Sequence, residues 1–108
     1  MVESIILDDI FMALADTTRR SIVARVAKTE MSIGEIARHY SLTFAAVSKH
    51  IKVLERAGII TKRRRGKEQV VILVPETVAI ARHEIERYAQ LWDDRFDRLD
   101  TLLKEMED

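Results

Sequence analysis

The chain has 108 residues, with 18 Lys+Arg against 18 Asp+Glu, a formal net charge of zero and 47% hydrophobic residues. That is the length and balance of one folded domain. With no Cys, one Pro and three Gly, disulfides, thiolate metal ligands and thiol nucleophiles are excluded, and long helices with short connections are expected.

The first segment, Ile5 to Ala15, sets Ile6, Ile10, Ala13 and Leu14 at helical spacing. Asp16 is placed to cap a second helix, whose apolar face is Ile22, Val23, Val26 and Ala27. Ser32-Ile33-Gly34-Glu35 has capping-box spacing and opens a short third helix through Ile36 and Ala37 toward Tyr40. Ser41-Leu42-Thr43 breaks the pattern and caps a fourth helix from Phe44, with Val47, Ile51 and Leu54 inward and Gly58 at the C′ end. Two helices joined by so short a turn form a helix-turn-helix, over about residues 32–57.

The period then changes. Ile59-Ile60-Thr61 and Val70 to Val74 are β-branched and apolar, separated by Lys62-Arg63-Arg64-Arg65-Gly66-Lys67, and Pro75 closes the second run. This is a β-hairpin with a basic tip, a wing over about residues 59–74. From about Glu76 to Met106 runs a helix of ~45 Å. Val78, Ile85, Trp92, Leu99 and Met106 repeat every seven residues, with Ala81, Tyr88 and Leu102 beside them and Phe96 and Leu103 widening the stripe. The core ahead of it is too small to cover so long a seam, which calls for a second copy of the chain. The expected architecture is mainly α with a small β-hairpin. It is a single winged helix-turn-helix unit over residues 1–108, with dimerisation helices at about 4–15 and 76–106.

The charges are segregated along this order. Residues 1–16 hold four acids and no base, residues 17–67 thirteen bases and three acids, and residues 68–108 eleven acids and five bases. A basic middle between acidic ends suits a surface that faces phosphate. The longest aliphatic run, Val70 to Val74, is far below the ~20 residues of a membrane span. Met1-Val2-Glu3-Ser4 has no basic n-region. No membrane partner and a cytoplasmic location are expected.

Two stretches carry a resemblance. Leu14-Ala15-Asp16-Thr17-Thr18-Arg19-Arg20 resembles the "LADPTRR" opening of the ArsR-type winged helix transcriptional regulators, with Thr17 where that family commonly has Pro. Ala46-Val47-Ser48-Lys49-His50-Ile51-Lys52-Val53-Leu54-Glu55-Arg56-Ala57-Gly58-Ile59-Ile60 resembles that family's recognition helix and its exit. The likeness spans roughly residues 10–75 and implies a cytoplasmic, homodimeric, DNA-binding repressor, in a family often released from DNA by a metal ion.

The recognition helix presents Thr43, Phe44, Ala45, Ser48, Lys49 and Lys52 on the side opposite its core face. Ser48 suits a base edge or a phosphate, and Lys49 and Lys52 suit guanine acceptors or phosphates. Phe44 or Ala45 suits a thymine methyl, or Phe44 folds back as a staple on Leu42 or the preceding helix. Arg63, Arg64, Arg65 and Lys67 at the hairpin tip suit phosphate contact or a narrow minor groove. Arg19 and Arg20 read first as a structural pairing, with Asp16 or another acid, and His50 as a satisfied structural histidine. The expected dimer contacts are Ile6, Ile10, Val78, Ile85, Tyr88, Trp92, Phe96 and Leu99.

The resemblance extends to a subset of the family without metal motifs. Ser32 to His39 holds no Cys, and His83 with Asp94 and Asp97 only echoes the terminal-helix ligand spacing, with Ala81 and Asp94 where an Asp and a His are needed. No metal and no cofactor are expected. Tyr88, Trp92 and Phe96 read as interface core, with an unidentified small-molecule effector between subunits as the other use. No nucleophile–base pair or phosphate-cradling loop points to an enzyme. The competing reading is a winged-helix module that binds protein through its acidic terminal helix.

Overall fold

The computed structural model of the chain describes residues 2–107, with their side chains from Ile6 onward. Met1 and Asp108, the ends of the expected unit, and the side chains of Val2, Glu3, Ser4 and Ile5 lie outside the described residues. The elements in chain order are α1 (Val2–Leu14), α2 (Thr17–Lys28), β1 (Met31–Ser32), α3 (Ile33–Ala37), α4 (Phe44–Arg56), β2 (Ile60–Arg65), β3 (Glu68–Leu73) and α5 (Pro75–Glu107). The helix-turn-helix is α3–α4 and the wing is β2–β3.

Each helix start follows local chemistry. Asp16 stands in extended conformation and accepts the Arg19 backbone N–H at 2.9 Å, capping α2. Ser32 Oγ accepts from Glu35 N at 3.1 Å and Thr43 Oγ1 from Ala46 N at 3.1 Å, capping α3 and α4. Only the Ser32 half of the expected capping box forms, because the Glu35 carboxylate is engaged by Arg65 instead. Helix α4 ends at Gly58, whose φ is +77°. Gly58 N–H donates to Glu55 O and Ile59 N–H to Leu54 O, the paired bonds of a Schellman end.

The sheet has one strand more than the sequence reading supplies. Its order is β1-β3-β2, all antiparallel, with Met31 opposite Val71 and Ser32 opposite Val70. Two residues are too few to show a strand period, so Ser32 was readable as a cap but not as a sheet partner. The second difference lies in the wing. Strand β2 continues through Arg65, paired with Glu68, so Arg63, Arg64 and Arg65 lie on the strand and the turn is Gly66-Lys67 alone. Gly66 has φ +63°, as the primed hairpin turns require at their first position. Pro75 is the first residue of α5 rather than the end of β3, a position where its missing N–H costs nothing. The third helix stops at Ala37, short of Tyr40, and Ala27 is exposed although its neighbours Ile22 and Val26 are buried.

The core gathers Ile10 and Ala13 from α1, Ile22 and Val26 from α2, Ile33 and Ile36 from α3, Val47, Ile51 and Leu54 from α4, and Ile59, Ile60 and Val71 from the sheet region. Ile10 corrects one expected dimer contact: it is 1% exposed within its own chain and has no surface to offer a second copy. Thr77 Oγ1 donates to the Gly58 carbonyl at 2.6 Å, which ties the first turn of α5 to the end of α4. Ala81 still packs on the core and the next turns run beside α1, after which α5 leaves the body, and the molecule measures 71 × 32 × 20 Å.

Two stability measurements follow. Ile51 is fully buried, so Ile51→Ala should destabilise by about 2–5 kcal/mol in urea unfolding, with the slope unchanged. The Arg19 backbone N–H holds the Asp16 carboxyl below its ordinary 3.8, with the charges of Arg19 and His50 acting in the same direction. A depressed native pKa stabilises above the ordinary carboxylate value and is lost as pH falls through the native one. The urea midpoint of the wild type should therefore exceed that of Asp16→Asn at pH 6, and the gap should close below about pH 4.

Candidate nucleic-acid interface

Helix α4 has three side chains, Val47, Ile51 and Leu54, at zero exposure. They fix its rotation about its own axis, and the opposite side is thereby set. Thr43, Phe44, Ala45, Lys49 and Lys52 are exposed, and Ser48 is half-buried at the edge of the same side. Lys49 and Lys52 have no carboxylate partner among the described residues. Phe44 keeps 59% exposure and Leu42 is exposed too, so much of the ring faces outward. An exposed aromatic ring at the first turn of a helix is placed for apolar contact with an outside surface.

The end of α4 nearest α1 is held by a polar cluster. Arg19 Nε donates to the Ala13 carbonyl at 2.6 Å and its Nη2 to the Met12 carbonyl at 3.2 Å, satisfying the last turn of α1. Its Nη1 lies 3.4 Å from His50 Nδ1, and His50 Nδ1 lies 3.8 Å from Asp16 Oδ2. Arg20 donates to the Leu14 carbonyl at 2.7 Å. Both arginines are thus structural, as expected, but their partners are helix-end carbonyls rather than an acid. On the far side of the motif, Tyr40 OH sits 2.7 Å from Ser21 Oγ and accepts from Arg25 Nε at 3.2 Å, fixing the α3–α4 turn onto α2.

The wing is more neutral than its sequence. Arg63 Nη2 donates to Glu30 Oε2 at 2.9 Å. Arg65 Nη2 lies 3.4 Å from both Glu35 Oε1 and Glu68 Oε2. Lys62 meets Glu55 of α4 at 3.3 Å. Arg64 donates to the Gly66 carbonyl at 3.0 Å, and neither it nor Lys67 has a carboxylate partner among the described residues. Four bases in a row without an acid suggested uncompensated charge; Arg63's acid comes from 33 positions earlier, and Arg65's from 30 positions earlier as well as from Glu68 on the facing strand. No local signal exposes the two distant pairs. Glu30 and Glu35 were nevertheless conspicuous as two of only three acids in residues 17–67.

The terminal helix presents its stripe to the outside. No residue of α5 is buried, and Ile6, Val78, Ile85, Tyr88, Trp92, Phe96 and Leu99 are all exposed. Trp92 and Phe96 stack with centroids 6.0 Å apart. Ile6, Leu7, Ala79, Ile80, His83, Glu84 and Arg87 line a groove of about 660 Å³ between α1 and α5. His83 faces this groove beside Glu84, whose carboxylate is taken by Arg87 at 2.6 Å. Among the described residues no three His, Asp or Glu side chains converge on a common point. Among the described residues no helix is long and apolar enough to cross a membrane.

Comparison with known proteins agrees with this geometry. A family described as a helix-turn-helix domain matches residues 14–63. The HTH-type transcriptional regulator Rv2034 of Mycobacterium tuberculosis is 39% identical over 98 residues, covering 83% of this chain and 92% of that one. The transcriptional repressor SdpR of Bacillus subtilis is 31% identical over 61 residues, covering 56% of this chain and 68% of its own. Among solved structures, the ArsR family transcriptional regulator RHA00566 superposes with a TM-score of 0.74 at 27% identity, over 82% of this chain and 91% of that one.

Proposed function

Because this chain belongs to the ArsR family of winged helix-turn-helix transcriptional regulators, we propose that it is a homodimeric, cytoplasmic repressor that binds an inverted-repeat operator as one winged-helix unit. The observation that carries the reading is the two-sided helix α4, with a fully buried apolar face and an outward side whose two lysines lack carboxylate partners. The start of α4 enters the major groove. Ala45 and Phe44 meet thymine methyls, Lys49 and Lys52 meet guanine acceptors or phosphates, and Ser48 and Thr43 complete the edge. Arg64 and Lys67 of the wing reach the flanking phosphates directly, and Arg63 and Arg65 do so once freed from their acids. The repressor role is supported by the name of the SdpR relative.

The dimer rests on the exposed seam. A stripe of large apolar residues along 33 residues of α5 is far more than a monomer leaves in water. A second copy covers Val78, Ile85, Tyr88, Trp92, Phe96 and Leu99, with Ile6 of α1 at the margin. It also sets two recognition helices about 34 Å apart, one turn of duplex. The groove between α1 and α5 lies beside that seam and is the place for a small-molecule effector.

Three experiments test this. Selection from a random DNA pool should return an inverted repeat, bound with log affinity falling linearly in log salt by about 0.9 per phosphate neutralised. Lys49→Glu with Lys52→Glu should weaken binding about 100-fold or more at unchanged thermal stability. A wild type that ignores every duplex at low salt refutes the reading. Separately, Ile85→Glu with Trp92→Glu should sediment as a monomer, keep its secondary structure and lose preference for two half-sites over one. Dimeric behaviour of that variant would place the subunit contact elsewhere.

A further inference from the structure

The basic middle of the chain, residues 17–67, holds only three acids: Glu30, Glu35 and Glu55. Each of them ends on a base of one strand, β2. Glu55 takes Lys62 at 3.3 Å, Glu30 takes Arg63 at 2.9 Å and Glu35 takes Arg65 at 3.4 Å. They arrive from three different places: α4, the link before β1, and α3. Residues 63 and 65 are two apart on a strand, so both side chains leave the same face. That face is the one to which Glu30 and Glu35 are brought.

Three of the five wing bases, two of them the arginines Arg63 and Arg65, therefore have acid partners before any DNA arrives. Both pairs are open to water, with the arginines 59% and 54% exposed and the acids 47% and 37%. Exposed ion pairs of this kind are weak and exchange readily. A DNA phosphate offers the same guanidinium the same chemistry, so acid and phosphate compete for one donor. An arginine that changes partners leaves a carboxylate close to the polyanion, which repels it.

We propose that Glu30 and Glu35 act as internal competitors for DNA phosphate, holding Arg63 and Arg65 of the wing and so limiting how tightly the protein binds any duplex. The proposal rests on the DNA-binding reading above. The effect is independent of base sequence, because phosphates are alike at every site, and discrimination stays with α4.

The test is the double variant Glu30→Gln, Glu35→Gln, which keeps side-chain shape and removes both negative charges. Binding is measured on the selected inverted repeat and on an unrelated duplex of the same length, across a salt series. At ~0.1 M salt the double variant should bind both duplexes about 10-fold more tightly, and the log–log salt slope should steepen by up to about 2. Glu105→Gln with Glu107→Gln makes the same change in net charge at the far end of α5 and should leave both quantities unaltered. Adding Arg63→Gln and Arg65→Gln to the double variant should cancel the gain. Glu30→Gln alone should give about one-third of the tightening and a slope change of up to about 1, which serves if the double variant unfolds. Unchanged or weaker binding beside a wild type that binds normally overturns the proposal and leaves the DNA-binding reading intact. So does an equal gain from the α5 control. If no form of the protein binds either duplex, both fall together.

Discussion

Everything outward in this molecule depends on the rotational lock of α4. Val47, Ile51 and Leu54 are wholly withdrawn from water, and they sit one turn apart along a single edge of the helix. Turning the helix by even one residue position, about 100°, would drag one of them into solvent and push Ser48 or Lys52 into the core. The lock leaves the polar edge no choice of direction. The Schellman end at Gly58 and the Thr43 cap then fix where the helix starts and stops. The bond from Thr77 to the Gly58 carbonyl transmits that fixed end to the terminal helix. Orientation of the reading head and departure of the long helix are thus two outcomes of one packing arrangement.

Charge is organised on top of this frame, and it is organised unevenly. On α4 the outward Lys49 and Lys52 stand alone, whereas three of the four bases on β2, Lys62, Arg63 and Arg65, meet acids from elsewhere in the domain. The hairpin is joined to the body by the β1–β3 ladder and by the buried Ile60, Val70 and Val71, so its angle is defined in the free protein whatever partner its arginines take. Arg64 and Lys67 remain unmatched by carboxylates at the tip. The wing therefore carries paired and unpaired bases side by side, with Arg64 and Lys67 the cationic ones.

Much of this was legible in the residues. The caps at Asp16, Ser32 and Thr43, the inward triple of α4, the left-handed glycine after it and the seven-residue stripe of α5 all arise from spacing within one element, and spacing is what a sequence displays directly. The misses share a different origin. Strand β1 is too short to have a period and exists only because β3 offers it an edge. Ile10 has the same helical spacing as Ile6, yet one is buried by α1's own neighbours and the other is left outside. Glu30 and Glu35, which meet Arg63 and Arg65, stand 33 and 30 positions away from them. Each miss turns on which elements become neighbours in space, which no pattern within a single segment encodes.

The long terminal helix has a thermodynamic corollary. From Ile85 onward every described residue of α5 is exposed. In one copy that stretch keeps its shape through short-range pairs such as Arg82 with Glu86 and Gln90 with Asp94, and such pairs sustain a solitary helix only marginally. In the dimer proposed above, ordering of the distal turns is linked by mass action to the arrival of a mate. In that assembly dilution loosens the spacer between the two reading heads before it touches the folded body, so the amount of protein present would set not only how many duplex sites are filled but how stiff each occupant is.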